Sequence, residues 1–367
     1  MDRYKRQFQI LCKYLKKIEK YRPPMQEYIR LMSDLSRELM EVERCIFWLY
    51  DQEKGKIFSQ VSEDIGYCEV DAFDGIIGQV IRSGETRLVN DYTKDPYYDP
   101  KIEKVTGFSI RSSVYVPLKH SDNTVYGALQ VINKLGGGHF DDEDMEMMIF
   151  VALYCEEALT SFFFEEELIQ TQNDIVFLLA ELGESRSKDT GMHVRRVSAM
   201  AAYLGELAEL PPNEVHLLRL ASPLHDLGKV GIEDAILNKP DKLTEEEYLS
   251  MKRHTKIGHR ILGSMQRKLL KVADMIAHQH HERYDGKGYP QGLSGEEISL
   301  YARITSICDV FDALANRRPY KEAWDRKAIY EEFLSEKGRQ FDPRLTDLFL
   351  SHFDDFFNIL QQYPEPD

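Results

Sequence analysis

The spacing of apolar residues changes along the chain and predicts segments of different structure. The first 22 residues carry apolar side chains three or four positions apart, at Phe8, Leu11, Leu15 and Ile18. This spacing predicts an amphipathic helix, which the Pro23-Pro24 pair ends. A second helix is predicted over residues 28–39. Four strand-like runs follow, namely CIFWLY (45–50), KIFSQVS (56–62), SSVYVPLKH (112–120) and TVYGALQVINK (124–134). Turn signals separate the runs, which predicts an α+β domain with an antiparallel sheet and flanking helices.

A different pattern begins after the glycines at 136–138. Residues 141–181 contain no Pro or Gly, and apolar side chains recur at helical spacing, at Ile149, Ala152, Leu153, Leu159, Phe162 and Phe163. About 40 residues at 1.5 Å each predict one helix of roughly 60 Å, which is typical of a connector or a dimer seam. A core helix with a break is the alternative. The rest of the chain has helical spacing almost throughout and is expected to be all-α.

Composition narrows the class of protein. With 43% hydrophobic and 30% charged residues, the 367-residue chain is expected to be a soluble globular protein of two domains. There is no uninterrupted apolar run of about 18 residues, and the charged start lacks the apolar core of a signal peptide, so we expect a cytoplasmic protein without membrane insertion. Five scattered cysteines without a CxxC pair agree with a reducing compartment.

The net charge of −15 argues against a DNA-binding protein. An anionic substrate would need a metal or a few Lys and Arg side chains to hold it.

The stretch ASPLHDLGKVGI (221–232) places His225 and Asp226 side by side within an apolar, helically spaced segment. Adjacent residues on a helix point about 100° apart, so the pair can share one metal or reach two neighbouring metals. A buried Asp is costly without a partner, and Lys229, one turn later, reaches the same face. A satisfied His-Asp pair in the core is the alternative interpretation.

Further histidines and a late aspartate extend this set. His280 and His281 are adjacent in QHHERYDGKGYPQG (279–292), and a tight loop of glycines and Pro290 follows them. The other members are His193, His254 and Asp309. A nitrogen- and oxygen-rich set without cysteine suits iron, manganese or zinc in a hydrolytic site rather than a structural thiolate zinc site. Two or more metals can clamp the attacking and leaving oxygens of phosphoryl transfer.

The half of the chain from about residue 175 to residue 364 resembles the HD-GYP domain, a bacterial subgroup of the HD metal-dependent phosphohydrolases. The matching pieces, in the family's order, are TGMHVRRVS, LHDLGKVGI, LNKPDKLTEEEYLSMKRHTKIGHRIL, HHERYDGKGYPQGLSGEEISLYARI and CDVFDALANRRPYKEA. The resemblance implies a bacterial phosphodiesterase that opens cyclic di-GMP to linear pGpG, with further cleavage to GMP left open. The family's metal ligands map here onto His193, His225, Asp226, His254, His280, His281 and Asp309.

A further position distinguishes members with three metals, usually iron, from members with two. In three-metal members a glutamate precedes the first His, and Glu184 stands nine residues before His193 in ELGESRSKDTGMH. The resemblance therefore implies two or three iron ions, with three favoured and manganese as an alternative metal. Glu181 is the competing carboxylate, and a solvated helix residue is the alternative interpretation of Glu184.

The same resemblance implies roles in catalysis and substrate binding. Asp226 belongs to the metal cluster that activates the attacking water, and Lys229 stabilises the phosphate or helps to protonate the leaving 3′ oxygen. Arg318 and Lys321 match residues that bind the substrate phosphates in the family, and Arg317 is the adjacent alternative. The alternative interpretation of all three is that they are solvated residues at helix ends. The loop after His281 is expected to shape the substrate entrance or a partner surface, for example for a diguanylate cyclase.

Residues 25–160 resemble a GAF domain, a small-molecule sensor fold. The matching pieces are GIIGQVIRSGETRLVNDYTKDPYYDP and RSSVYVPLKHSDNTVYGALQVINKLGGGHFDDED. Asn133 and Lys134, followed by Phe140, are similar to the cyclic-nucleotide-binding members, but Met145 stands where that motif has a glutamate. The GAF ligand is therefore unknown, and a structural role in dimerisation is an equal alternative.

The predicted segments are an N-terminal helix (1–24), the GAF sensor domain (25–140), a connecting or dimerisation helix (141–182) and the HD-GYP domain (183–367). We expect a homodimer in which the long helix carries a signal towards Glu184. Two rival functions stay open, namely an HD phosphohydrolase acting on another cyclic dinucleotide and a catalytically silent receptor for cyclic di-GMP. A silent receptor should have lost ligands, whereas every expected ligand is present in this chain.

Overall fold

A computed structural model of the chain describes residues 3–21, 23–60, 68–100, 108–184, 186, 191–316 and 323–364. The chain divides into two compact units, Met1–Leu168 and Ile169–Asp367. The first unit is α+β and the second is helical, so the predicted fold class is confirmed.

The first unit is built on an antiparallel sheet with the strand order β3-β2-β1-β6-β5-β4. Its elements are α1 (Arg3–Tyr21), α2 (Met25–Met40), β1 (Val42–Asp51), β2 (Lys56–Gln60), β3 (Glu69–Asp71), α3 (Gly75–Ser83), β4 (Arg87–Val89), β5 (Ser113–Lys119) and β6 (Val125–Lys134). The two predicted helices and the four predicted strands are present. The short edge strands β3 and β4 were not predicted, because three residues are too few to show an alternating pattern.

Alternation along β1 distributes apolar side chains to both faces of the sheet. Phe47 and Leu49 pack into one core, which α1 and α2 cover, whereas Ile46 and Trp48 pack into a second core with α3. Successive side chains of a strand point to opposite faces, so a strand covered on both sides reads as a continuous apolar run.

Asn133 and Lys134 form hydrogen bonds and an ion pair within the first unit. Asn133 has a φ of 56°, and its Oδ1 accepts hydrogen bonds from the backbone N–H groups of Arg111 at 2.7 Å and Ser112 at 3.2 Å. The Lys134 ammonium forms an ion pair with the buried carboxylate of Asp144. These contacts support a structural role for the pair, because both side chains are engaged within the fold.

A single helix, α4 (Asp142–Glu184), follows the sheet. Met148, Val151, Cys155 and Leu159 are buried in the first unit's core, whereas Leu153, predicted on the same side, is 59% exposed. By length and composition α4 is the one helix among the described residues that could cross a membrane; its most apolar window has a mean hydropathy of 1.5 and is 28% buried. This is weak evidence, because long helices that serve as cores or interfaces pass the same test.

The second unit is helical throughout its described residues. After the end of α4 its helices are α5 (Gly191–Leu207), α6 (Pro212–Ala221), α7 (Asp234–Leu237), α8 (Glu245–Leu262), α9 (Lys268–Gln279), α10 (Leu300–Ala315), α11 (Arg326–Glu336), α12 (Pro343–Ser351) and α13 (Phe353–Gln362). An aromatic cluster joins the last four helices, with Phe311 at 5.1 Å from Phe349 between ring centroids. Of these four helices, α10 carries Asp309, one of the polar side chains of the next section.

Candidate metal centre

The His225-Asp226 step lies at the junction of two short 3-10 turns, not inside an α-helix as the apolar pattern predicted. Helix α6 ends at Ala221, the turn Ser222–Leu224 follows, and a second turn begins at Leu227. Pro223 lacks the backbone N–H that would continue the helical ladder, which accounts for the break. Asp226 has φ −103° and ψ 11°, a sparsely populated conformation that is common at functional sites.

Gly228 allows this turn to lie directly against helix α8. A Cβ atom at Gly228 would stand 1.9 Å from the backbone O of His254 and 2.5 Å from the backbone N of Gly258. Any other residue at position 228 would push the two segments apart. The glycine therefore sets the distance between the His225-Asp226 step and the histidine on α8.

The carboxylate of Asp226 is the centre of the histidine cluster. Its Oδ1 lies 3.2 Å from His254 Nε2 and 3.6 Å from His280 Nε2, and its Oδ2 lies 3.3 Å from His225 Nε2. The two nitrogens His254 Nε2 and His280 Nε2 are 3.4 Å apart. His281 completes a group whose ligand atoms all lie within 4.8 Å of one another.

In three of these histidines the other ring nitrogen, Nδ1, lies within hydrogen-bond distance of a backbone carbonyl oxygen. Nδ1 of His225 is 2.8 Å from the carbonyl of Ser222, Nδ1 of His254 is 2.8 Å from that of Met251, and Nδ1 of His280 is 3.0 Å from that of Ile276. A carbonyl only accepts, so each Nδ1 donates a proton, and each neutral ring keeps its lone pair on Nε2.

Lone pairs therefore surround the carboxylate of Asp226, where cations fit. The Nε2 atoms of His254 and His280 face its Oδ1 and that of His225 faces its Oδ2, and all of these atoms are acceptors while the rings are neutral. His225 Nε2 and Asp226 Oδ1 are buried without a hydrogen bond among the described residues. Buried acceptors without a donor are costly, and a divalent metal that prefers nitrogen and oxygen ligands would satisfy them.

Two further groups adjoin the first. His193, His225 and Asp309 form one group, and Glu184, His225 and Asp226 form the other, with ligand atoms within 4.8 Å in each. Asp309 Oδ1 lies 3.7 Å from His193 Nε2 and 3.8 Å from His225 Nε2. The structure thus brings together all eight residues for which metal ligation was predicted; their ligation itself stays a prediction.

Lys229 lies between two of these carboxylates. Its Nζ is 2.8 Å from Asp226 Oδ2 and 3.2 Å from Glu184 Oε2. Glu181, the competing carboxylate, instead forms an ion pair with Arg195 at 3.1 Å and belongs to none of the three groups. Glu184 rather than Glu181 therefore faces the cluster. The predicted phosphate clamps Arg318 and Lys321, and the alternative Arg317, lie outside the described residues.

The charges of the cluster shift one another's pKa values. Burial opposes ionisation of Asp226, but the charges of Lys229 and His225 outweigh it and hold the pKa of this carboxyl well below its usual range. Burial also lowers the pKa of His225, but the carboxylates of Asp226, Asp309 and Glu184 together outweigh it and raise this pKa to about 9. For His254 burial prevails over the nearby Asp226 and lowers the pKa to about 4.

A tight loop follows the doubled histidine. Both carboxylate oxygens of Glu282, which is buried, accept backbone N–H groups across the loop, from Gln291 at 2.7 Å and from Leu293 at 3.1 Å. A Cβ at Gly288 would lie 2.3 Å from the backbone N of Arg283, so the loop is closed tightly here. The ring of Tyr289 lies 4.8 Å from the ring of His281, so this loop forms part of the cluster's wall.

Two buried charges near the cluster were missed in the sequence. Asp312 lies 2.8 Å from Nδ1 of His193, and Arg196 forms an ion pair with Asp312 at 2.5 Å. Each stands three residues after a predicted ligand, Arg196 after His193 and Asp312 after Asp309. This spacing places both on the ligand face of their helices and could have drawn attention to them.

Each of the two units matches a known protein family model. A family model described as HD domain matches residues 178–345, and one described as GAF domain matches residues 24–159. A 3'3'-cGAMP-specific phosphodiesterase 2 of Vibrio cholerae serotype O1 is 44% identical over 199 residues, which cover 54% of this chain and 38% of the relative.

Two other relatives carry cyclic di-GMP in their names. The cyclic di-GMP phosphodiesterase response regulator RpfG of Xanthomonas campestris pv. campestris is 45% identical over 184 residues, covering 50% of this chain and 49% of the relative. A cyclic di-GMP phosphodiesterase of Thermotoga maritima is 39% identical over 191 residues, covering 50% of this chain and 51% of the relative. The chain thus spans about half or less of the length of the curated relatives it matches.

These matches fall on the units that the contacts define. The sheet-containing unit carries the GAF match and the helical unit with the histidine cluster carries the HD match. The chain therefore carries a GAF domain followed by an HD domain.

Proposed function

We propose that this chain is a metal-dependent phosphodiesterase that hydrolyses cyclic di-GMP to linear pGpG. The observation that carries this proposal is the convergence of His Nε2 lone pairs on the buried Asp226 carboxylate. Such a pocket is built for a cation, and the HD match together with the names of the relatives supplies the reaction class.

The three adjoining groups would hold the metals. Asp226 is a member of two of these groups, and Glu184 adds a second carboxylate to the group that it forms with His225 and Asp226. We propose three ions, one for each group, with two as the alternative number. We propose iron as the metal and manganese as the alternative, since both accept nitrogen and oxygen ligands. Bound metals would lower the pKa of a coordinated water and take up charge that develops on the phosphate oxygens.

The chain's own residues orient and protonate the substrate. Hydrolysis forms a bond from phosphorus to the water oxygen and breaks the bond from phosphorus to the 3′ oxygen, which then needs a proton. The Lys229 side chain, 15% exposed beside Asp226, supplies an ammonium for the phosphate charge or a proton for the leaving oxygen. Arg318 and Lys321 are proposed to hold the phosphates, as Arg and Lys side chains do in many phosphate sites. Whether pGpG is cut again to GMP belongs to the same test.

A second candidate substrate is 3'3'-cGAMP. The Vibrio cholerae relative that is 44% identical over 199 residues is named for this dinucleotide. Both substrates present the same phosphodiester chemistry and differ in one base. The base-binding residues therefore decide between them, and the cluster does not.

The decisive experiment combines metal counting with product analysis. Protein loaded anaerobically with ferrous iron is incubated with cyclic di-GMP and, separately, with 3'3'-cGAMP, and the products are separated by chromatography. We expect a linear product, and Asp226→Ala should lower the rate by at least about 100-fold, because it removes a carboxylate that belongs to two of the three groups. Asp274→Ala is the matched control, since Asp274 pairs with His259 at 2.6 Å and belongs to none of the three groups.

A fully metallated protein that yields no linear product from either dinucleotide would contradict the proposal. Binding of cyclic di-GMP without turnover would indicate the silent receptor instead. Turnover of 3'3'-cGAMP alone would retain the reaction and replace the substrate.

We also propose a homodimer joined through α4. Five apolar side chains of this helix are between 50% and 64% exposed, namely Phe164, Leu168, Ile175, Leu178 and Leu182. They recur at intervals of three, four and seven, the spacing of a coiled-coil seam. Ile175→Glu should therefore convert a dimer into a monomer in sedimentation, whereas Glu167→Gln, outside this spacing, should leave the dimer intact. A monomeric wild-type chain would exclude the seam.

The remaining proposals concern organisation. We propose the division into an N-terminal helix (1–24), a GAF domain (25–140), a connecting helix (141–182) and an HD-GYP domain (183–367), in the bacterial cytoplasm. An unidentified GAF ligand would act through α4, which begins in the first core and ends at Glu184. The loop at 282–293 is a candidate surface for a diguanylate cyclase partner.

A further inference from the structure

The five histidines of the cluster are not held in the same way. Where Nδ1 of His225, His254 and His280 donates to a neutral backbone carbonyl, Nδ1 of His193 lies 2.8 Å from the carboxylate Oδ2 of Asp312. A carboxylate on the far nitrogen fixes the ring's tautomer and makes the near nitrogen a stronger donor to a metal.

The partner of His193 is itself held in place. Arg196 donates to Asp312 through Nε at 2.5 Å to Oδ1 and through Nη2 at 3.1 Å to Oδ2, so the contact is bidentate. Asn316 adds a hydrogen bond from Nδ2 to Asp312 Oδ1 at 3.0 Å. The carboxylate of Asp312 therefore has no freedom to turn away from His193.

This arrangement is buried completely. The side chains of Asp312 and Arg196 are each 2% exposed, and the side chain of His193 is 4% exposed. Desolvating an Arg and an Asp is expensive, and a buried ion pair is on average no more stabilising than apolar residues of the same size. A gain in stability therefore does not account for a buried Arg-Asp pair in contact with His193.

The contact with Asp312 sets the orientation of the His193 ring. With Nδ1 turned to Asp312, Nε2 is the atom that faces Asp309 Oδ1, at 3.7 Å. Arg196 is anchored in turn by a hydrogen bond from Nη1 to the backbone carbonyl of Tyr363 at 3.3 Å, beyond helix α13. The contacts therefore run from the last described helix to the metal-facing nitrogen of His193.

We propose that Asp312, clamped by Arg196, is the positioning residue that aims His193 at its metal and tunes the strength of that ligand. This inference rests on the proposed metal centre but not on the substrate. It assigns the pair to metal affinity rather than to folding, and it predicts that the affinity responds to the charge of residue 312.

The test measures cobalt binding by metal-free protein, with no substrate present. Asp312→Asn keeps the size of the side chain and removes its charge. We expect cobalt(II) affinity to fall by about 10–100-fold, with a changed visible absorption spectrum of the bound cobalt. Arg196→Lys keeps the charge but loses the planar fork, and a smaller loss of about threefold to tenfold is expected.

The matched control is another buried Arg-Asp pair of the same unit. Arg303 forms an ion pair with Asp342, with side chains 13% and 7% exposed, and neither residue belongs to the three ligand groups. Asp342→Asn should lower the midpoint of thermal unfolding and leave cobalt affinity and spectrum unchanged. The same result for Asp312→Asn, lower stability with wild-type cobalt binding, would overturn the inference.

If Asp312→Asn does not fold, Asn316→Ala takes its place, since it keeps the Asp312 carboxylate and removes the hydrogen bonds from Asn316 Nδ2 to Asp312 Oδ1 and to the Asp312 backbone carbonyl. A weakened cobalt site in Asn316→Ala supports the inference, and an unchanged site overturns it. Wild-type protein that takes up no cobalt would overturn the metal centre itself and this inference with it. Normal cobalt binding without turnover of any dinucleotide would count against the proposed reaction alone.

Discussion

The ammonium nitrogen of Lys229 lies 3.2 Å from the carboxylate Oε2 of Glu184, a residue 45 positions earlier in the chain. Glu184 is the last residue of helix α4, and Lys229 belongs to the turn that follows the His225-Asp226 step. Because Nζ of Lys229 is also 2.8 Å from Asp226, one ammonium is shared by two buried carboxylates. Lys229 is thus a counter-ion of the cluster as well as a candidate for contact with the substrate.

Removing this ammonium should destabilise the metal-free protein more than the metal-loaded protein. In Lys229→Met two buried carboxylates lose a compensating charge, which should lower the free energy of unfolding by about 3 kcal/mol. Bound Mn²⁺ supplies positive charge in its place, so the loss should shrink when metal is added. Urea unfolding with and without Mn²⁺ measures both values. Lys239→Met, which removes a partly exposed ion pair with Glu247, should have a much smaller effect, and that effect should be the same with and without Mn²⁺.

The metal content should report whether Glu184 is a ligand. Glu184 and Asp226 are the carboxylates of the group that also contains His225. Asp226 belongs to a second group as well, so Glu184→Ala removes the carboxylate that is specific to this one. We expect the iron content, measured by elemental analysis after anaerobic loading, to fall by about one ion per chain. Glu181→Ala is the control, because Glu181 pairs with Arg195 instead. Equal iron content in wild type and Glu184→Ala would leave a two-metal centre.

A methyl group at position 228 should disturb the cluster without touching a ligand. In Gly228→Ala the new Cβ would lie 1.9 Å from the backbone O of His254, and that atom cannot rotate away. We expect a loss of about 1–3 kcal/mol in the free energy of unfolding together with weaker metal binding.

Gly205→Ala serves as the comparison for this variant. Its new Cβ would meet the end of the Leu218 side chain at 3.1 Å, which can shift, and it sits inside helix α5. We expect a change of at most about 0.5 kcal/mol and normal metal binding. Undisturbed metal binding in Gly228→Ala would show that the turn and α8 can separate freely.

Metal uptake at neutral pH should release protons. The pKa of His225 in the metal-free protein is raised to about 9, so this ring is protonated at pH 7.5 and must lose its proton to become a ligand. The pKa of His254 is lowered to about 4, so that ring is already neutral and releases none. Metal affinity should therefore rise with pH up to about 9 and then level off. Calorimetry in buffers of different ionisation enthalpy counts the protons; a count of zero would contradict this reading of His225.

The sequence determined most of the helices, the four longer strands and the membership of the cluster. Helical and alternating spacings are local, so α2, α4 and β1 could be read from neighbouring residues alone. The histidines and aspartates stood out because a buried apolar segment rarely carries such side chains without a reason. The strands β3 and β4 could not be predicted from local spacing, because they depend on pairing with β2 and β5.

Only the tertiary structure decided how the cluster is arranged. The chain alone could not show that Asp226 faces three Nε2 atoms, that Glu184 rather than Glu181 reaches the site, or that Asp312 stands behind His193. The contact of Glu184 with Lys229 joins residues 45 positions apart, and that of Asp312 with His193 joins residues 119 positions apart. Spacing along the sequence fixes which face of a helix a side chain occupies. The packing of one helix against another fixes what that face meets.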